Sequence, residues 1–263
     1  MNQKQNKANV LRKKLRNGEL VIGAHVFYDD PAITETFGYM GYDYVWIDGE
    51  HCAFDKQSLL RHVVGAYAGG TASIVRVEWN DQVLLKPVLE MGIDGLIVPM
   101  VCTADEARAF VEACTYPPRG IRGFGPRRAN QYGALSNTEY LENVDDSFLR
   151  ILQIEHKKAI ENLDEILKVE GIDALIVGPN DLSATYGCLG NIKAPEMTPI
   201  YDQLAEKCRA AGMPFGVSLG PGDRQCIAEW EARGAQLISC VDDISSINIV
   251  SRDTLKYVKS LRR

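Results

Sequence analysis

Eight short apolar runs recur along this chain, and each gives way to a segment with helical or polar patterning. The runs fall at residues 20–25, 44–48, 73–77, 95–99, 148–155, 174–177, 213–219 and 235–241. Helical periodicity covers 31–40, 58–68, 81–91, 104–114, 159–169, 201–211 and 224–233, with a polar amphipathic helix in 1–17 and a terminal helix in 253–261. Local signals mark the boundaries. Pro31 suits a first turn, Gly41, Gly92 and Gly212 stop helices, and Thr103 with Glu106 has capping-box spacing. Strands that are apolar throughout and alternate with helices are parallel strands covered on both faces. Eight of them, with no low-complexity linker, predict a single (β/α)₈ barrel over 1–263. The rival is a doubly wound open sheet. It has fewer strands and often a glycine-rich phosphate loop after the first, which Gly23-Ala24-His25 does not supply. The stretches 116–146 and 178–196 lack periodicity and read as loops long enough to serve function.

Composition narrows the partners. A formal charge of −6 argues against nucleic acid, whose phosphates demand clustered Lys and Arg. The run Arg12-Lys13-Lys14-Leu15-Arg16 is short and reads as a solvated helix face. No apolar run approaches a transmembrane length. Seven cysteines without regular spacing suit a reducing cytoplasm better than a disulfide framework.

In a (β/α)₈ barrel, chemistry gathers where the strands end. The second strand runs through Trp46-Ile47 into Asp48-Gly49-Glu50-His51. The third places Arg76 in an apolar context, the fifth ends in Gln153-Ile154-Glu155, and the sixth leads into Gly178-Pro179-Asn180-Asp181. Glu155 and Asp181 are candidate ligands for a hard divalent ion, Mg²⁺ or Mn²⁺, because two carboxylates without cysteine leave room for water and substrate oxygens. Taken singly, each reads better as structural, Glu155 as a strand-end ion pair and Asp181 as a helix cap; together at two strand ends they favour a metal. Arg76 calls for an anion, either a substrate or a structural partner such as Asp48. His51 is a candidate general base, its tautomer fixed by Asp48. His25 is a mouth residue without an assigned role, while His62 and His156 are less suitably placed.

These residues carry a resemblance. Trp46-Ile47-Asp48-Gly49-Glu50-His51 resembles the signature of the HpcH/HpaI aldolase family, the metal-dependent class II aldolases for pyruvate and other 2-oxo acids. The likeness continues through Arg76 with Trp79-Asn80-Asp81, Val98-Pro99-Met100-Val101, Tyr116-Pro117-Pro118-Arg119-Gly120-Ile121-Arg122-Gly123, Gln153-Ile154-Glu155 and Gly178-Pro179-Asn180-Asp181-Leu182-Ser183, in order over roughly residues 20–245. The resemblance implies a barrel of the phosphoenolpyruvate/pyruvate superfamily, assembled as a homo-oligomer (hexamer or trimer) through terminal helices. It implies Glu155 and Asp181 as ligands of Mg²⁺, Mn²⁺ or Co²⁺. Arg76, Gln153, Asn180 and Asp181 would hold pyruvate, and His51, with Asp48, would move protons. Glu90 stands where the family pairs an Asp with its histidine. The segments 218–223 and 240–243 fit the family pattern less well and would line the aldehyde side.

The expected reaction is reversible cleavage of a 4-hydroxy-2-oxo acid to pyruvate and an aldehyde. One alternative keeps the same metal and enolate site for a macrophomate-synthase-like or oxaloacetate-decarboxylating reaction. Another is a barrel that binds an oxo acid without turnover.

Overall fold

The computed structural model describes residues 6–261. The elements in order are α1 (Lys7–Arg16), β1 (Val21–Val26), α2 (Pro31–Tyr39), β2 (Tyr44–Asp48), α3 (Lys56–Gly69), β3 (Ala72–Arg76), α4 (Gln82–Leu89), β4 (Gly95–Val98) and α5 (Ala104–Cys114). They continue as α6 (Asn137–Asn143), β5 (Leu149–Ile154), α7 (Lys157–Glu161), α8 (Leu163–Ile166), β6 (Ala174–Val177) and α9 (Pro179–Thr185). The last are α10 (Thr198–Ala210), β7 (Phe215–Ser218), α11 (Arg224–Ala232), β8 (Leu237–Asp242) and α12 (Asp243–Ser260). All eight strands are parallel and close in sequential order, with β1 paired to β8, so the expected (β/α)₈ barrel is the observed fold.

Alternation along each strand divides the apolar residues into two layers. One layer fills the barrel interior: Tyr44 and Trp46 of β2, Ile74 of β3, Ile97 of β4, Ile151 of β5, Ile176 of β6 and Leu237 of β8. Gly23 is required there, since a Cβ at that position would collide with the Tyr44 ring. The other layer, including Val45, Ile47, Val75 and Leu96, packs against the surrounding helices. Ala8, Leu11 and Leu15 of α1 join the interior cluster, so α1 packs against the inner layer.

Several element boundaries differ from the sequence expectation. The 116–146 stretch holds α6, capped by Ser136, whose side chain accepts from Glu139 N–H. The 178–196 stretch opens directly into α9 with Pro179 at its first turn. The 159–169 helix is two short ones broken at Asn162. The terminal helix begins ten residues earlier than expected, because Asp242 closes β8 and caps α12 at once. The reading of 1–17 lies partly outside the described residues. The basic run is not simply solvated: Arg12 is buried and pairs with Asp173 at 2.7 Å, and Lys14 reaches Asp43 at 2.6 Å. No helix among the described residues is long and apolar enough to cross a membrane.

Candidate active site

The alternation that packs the interior also aims the site. Two residues beyond inward-facing Trp46 lies Asp48, beyond Ile74 lies Arg76, and beyond Ile151 lie Gln153 and then Glu155. These side chains are buried at the carboxyl edge of the strands. They meet beside a pocket of about 230 Å³ whose walls include Arg76, Gln153, His51, Asn180 and Asp181. Among the described residues, no lysine lines it.

Asp48 and Arg76 form its centre. Arg76 Nε donates to Asp48 Oδ1 at 3.0 Å and Nη2 donates to Oδ2 at 2.5 Å, a two-point pair between a planar guanidinium and a carboxylate. Arg76 Nη1 lies 3.3 Å from Gln153 Oε1 and 3.0 Å from Glu50 Oε2. Asp48 Oδ1 also accepts the backbone N–H of Glu50 at 3.0 Å and of His51 at 3.3 Å, so one carboxylate shapes the turn after β2. Burial pushes the Asp48 carboxyl up. The contact with His25 and the charge and bonds of Arg76 outweigh this and hold it well below the ordinary range.

The structure corrects the expected support of His51. Asp48 gives its side chain to Arg76 and to His25, whose Nε2 stands 3.3 Å from Oδ2, and it meets His51 only through the backbone. The His51 imidazole is 59% exposed, with Nε2 3.7 Å from Glu50 Oε2. Glu90 does not reach it either: at the C-terminus of α4 its carboxylate faces Arg122 Nη2 at 3.3 Å. His51 therefore enters the mouth as a solvent-exposed imidazole with an acidic neighbour.

Glu155 is buried just beyond the end of β5. Oε1 accepts the Met100 N–H at 2.8 Å, and Oε2 accepts from Gln153 Nε2. Met100 has φ of 56°, a left-handed conformation uncommon outside glycine. That backbone amide is a site contact that no side-chain motif announces. Burial pushes the Glu155 carboxyl up to about 7. The Met100 bond and Arg76 oppose this, and the nearby Glu50 and Asp181 add to it. Burial likewise raises Glu50. Gly178 is a contact position: a Cβ there would strike Glu155 Oε2 and Gln153 Nε2.

Three carboxylates, Glu50, Glu155 and Asp181, thus influence one another across the mouth, with Arg76 already committed to Asp48. This arrangement fits a hard divalent cation, since all donors are oxygen and added positive charge relieves the cost of an ionised Glu155. Among the described residues, no group of three or more His, Cys, Asp or Glu side chains is placed to hold a metal ion together, these three carboxylates included. Glu155 with Asp181 would leave the remaining positions to water and substrate.

Sequence comparison places this mouth in a known setting. Residues 22–239 match HpcH/HpaI aldolase/citrate lyase. The chain belongs to that family. It is 38% identical over 228 residues to 2-keto-3-deoxy-L-rhamnonate aldolase of Escherichia coli O157:H7, covering 85% of this chain and 84% of that protein. An HpcH/HpaI aldolase from Desulfitobacterium hafniense DCB-2 superposes with a TM-score of 0.88 at 29% identity, covering 95% and 96% of the two chains. A family member from Burkholderia cenocepacia J2315 gives 0.90 at 27% identity, covering 95% and 99%. With aldolase relatives at this identity, this family member is a carbon–carbon lyase.

Proposed function

We propose that the chain is a divalent-metal-dependent class II aldolase that reversibly cleaves a 4-hydroxy-2-oxo acid into pyruvate and an aldehyde. The observation that carries this reading is the buried Asp48–Arg76 pair beside a pocket lined by Arg76, Gln153 and Asp181, with Glu155 bonded to Gln153. Glu155 and Asp181 would hold Mg²⁺, Mn²⁺ or Co²⁺. When bound, the cation supplies Lewis-acid stabilisation of the charge that develops on the oxo oxygen during bond cleavage.

The chain's own residues account for the other demands. Asp48 fixes the Arg76 guanidinium in plane, and Arg76 presents its positive charge to the oxo-acid end. Gln153, held between Arg76 and Glu155, orients that end together with Asn180 and Asp181 at the first turn of α9. His51 accepts the proton of the 4-hydroxyl, whose collapse breaks the carbon–carbon bond, and returns a proton to the methyl carbon in the last step. Its exposure suits a group that exchanges protons with solvent. The similarity to a 2-keto-3-deoxy-L-rhamnonate aldolase supports a deoxy sugar acid as the substrate class.

The enzyme we propose is a cytoplasmic homo-oligomer, a hexamer or trimer. All seven cysteines are free, which suits a reducing compartment. Helix α12 buries only Asp243 and exposes Ile247, Val250, Leu255 and Val258, an apolar face that a second copy would cover.

The decisive experiment is exchange of pyruvate methyl protons in D₂O, followed by NMR with Mn²⁺ or Mg²⁺ and then with excess chelator. Metal-dependent exchange that is lost in both His51→Ala and Glu155→Ala is expected. Exchange at full rate in chelator would refute the metal requirement, and silence of the metal-loaded, folded wild type would refute the aldolase.

A further inference from the structure

Strand β1 runs out of sheet partners before its chain turns toward α2. Its last pairings are Val26 with Ile47 of β2 and His25 with Asp242 of β8, so the backbone N–H groups of Phe27 and Tyr28 lie past the ladder. Amides left without ladder partners need other acceptors. One side chain supplies them. Asp243, the first residue of α12, accepts from Phe27 N–H at 3.2 Å through Oδ1 and 3.0 Å through Oδ2, and from Tyr28 N–H at 2.9 Å through Oδ2. Its Oδ1 also accepts the Ile244 N–H at 2.8 Å, and the residue is buried.

What these bonds fix is the Phe27 ring. Phe27 lines the pocket with His25 and Trp46, whereas Asp243 does not. The Phe27 ring stacks on His25 at 4.3 Å between centroids, and His25 stacks on Trp46 at 4.7 Å. Trp46 is packed in the barrel interior and His25 lies between two rings, so packing alone holds those two. Phe27 is the outer, half-buried member, and its place depends on where its backbone stands.

Successive aspartates divide the work at this corner. Asp242 starts α12, accepting Ser245 N–H at 2.6 Å, and Asp243 reaches across to the end of β1. The far end of the same loop is anchored separately. Asp29 accepts from Ser58 Oγ at 2.8 Å and from Arg61 Nη2 at 3.1 Å, and Asp30 caps α2 through Ala32 N–H at 2.9 Å. Loss of the Asp243 carboxylate would therefore release Phe27 and Tyr28 and leave the start of α2 in place.

We propose that Asp243 is a positioning residue for the aldehyde half of the reaction, holding the Phe27 ring as an apolar face of the pocket. The inference rests on the aldolase reading above. In that reading the oxo-acid end belongs to Arg76 on β3, Gln153 on β5 and Asp181 after β6, and β1 stands opposite β5 in the closed ring. Phe27 thus borders the space left to the aldehyde's carbons. The oxo-acid end is organised without Asp243: Arg76 is held by Asp48, and Glu155 by Met100 N–H and Gln153. Removing Asp243 should therefore separate the two halves of the reaction, whereas general damage to the fold would lower both.

The test uses the Mn²⁺-loaded enzyme with pyruvate and propanal. Two activities are read in each protein: exchange of the pyruvate methyl protons in D₂O, which needs no aldehyde, and aldol addition to propanal. Asp243→Ala should leave exchange within about twofold of wild type while lowering kcat/KM for propanal by roughly fivefold or more, equivalent to losing about one buried methylene contact. Asp243→Asn, which keeps one acceptor oxygen, should lose less. Phe27→Ala should show the same split, and adding Asp243→Ala to it should cost little more, because no ring is left to position. If Asp243→Ala does not fold, Asp243→Asn and Phe27→Ala carry the comparison. Parallel loss of exchange and addition would overturn the positioning role, as would fully additive effects in the double variant. If wild type exchanges and the variants add propanal as wild type does, the aldolase reading stands and the role of Asp243 falls. If wild type shows no exchange, both fall.

Discussion

Replacing Asp48 with asparagine removes one charge from the centre of the mouth and keeps the side chain's shape. The oxygen that stays in the Oδ1 place retains the bonds from Arg76 Nε and from the backbone of Glu50 and His51. The new amide group then points at Arg76 Nη2, where a 2.5 Å bond becomes an encounter between donors. A hydrogen bond to a charged partner contributes about 1.5–3 kcal/mol. Coulomb attraction between unit charges ~3 Å apart at an effective dielectric constant of ~20 adds up to roughly 5 kcal/mol in the limit. Glu50 and Gln153 remain beside the guanidinium and offset part of the loss. The net cost of Asp48→Asn is therefore about 3 kcal/mol. For a chain of this size that lowers Tm by roughly 6–12 °C. Thermal unfolding without added metal, read by circular dichroism, measures it. Adding Arg76→Met should recover part of the loss, because the stranded guanidinium is then gone. A Tm within about 1 °C of wild type, or strictly additive effects in the double variant, would refute the pairing as the organiser of the mouth.

Mild acid acts on buried histidines and on a buried glutamate in opposite directions. Burial lowers both His25 and His62, so below about pH 6.5 the unfolded chain takes up protons that the folded chain refuses. The histidines' contribution is therefore complete above that pH and lost on acidification, whereas buried Glu155, raised to about 7, takes up its proton in the folded state over the same window and offsets that loss; in urea titrations Glu155→Gln should lose more stability between about pH 7.5 and 5.5 than wild type does, and an equal loss would contradict the burial argument. The exposed apolar face of α12 predicts a native mass of at least three chains by sedimentation, and charge substitutions at Ile247 and Val250 should reduce it; a monomeric wild type would refute the assembly.

The same sequence features explain what could be read without coordinates. Strand alternation alone predicts that Asp48 shares a face with Trp46, Arg76 with Ile74, and Glu155 with Gln153, because side chains two apart point the same way. Applied to β1, the rule also marks His25, which follows Val21 and Gly23 on the inner face. Ser218 entered only as part of the segment 218–223, through the family resemblance, since β7 is four residues long and gives alternation little to mark. Met100 was illegible as a ligand of Glu155, because its contribution is a backbone amide turned by a left-handed φ.

The sequence by itself determined the eightfold alternation, the parallel closed sheet it demands, and the set of polar groups delivered to one rim. Those properties follow from periods of two and about 3.6 residues, which are local. Only the tertiary structure decided the partners. Closure places β1 beside β8, so His25 meets Asp48, Ser218 and Asp242 rather than its neighbours in sequence. It gives Glu90 to Arg122 and Asp48 to Arg76, leaving His51 exposed. Each choice is a competition among buried charges for the nearest opposite charge, and that distance exists only once the ring is closed.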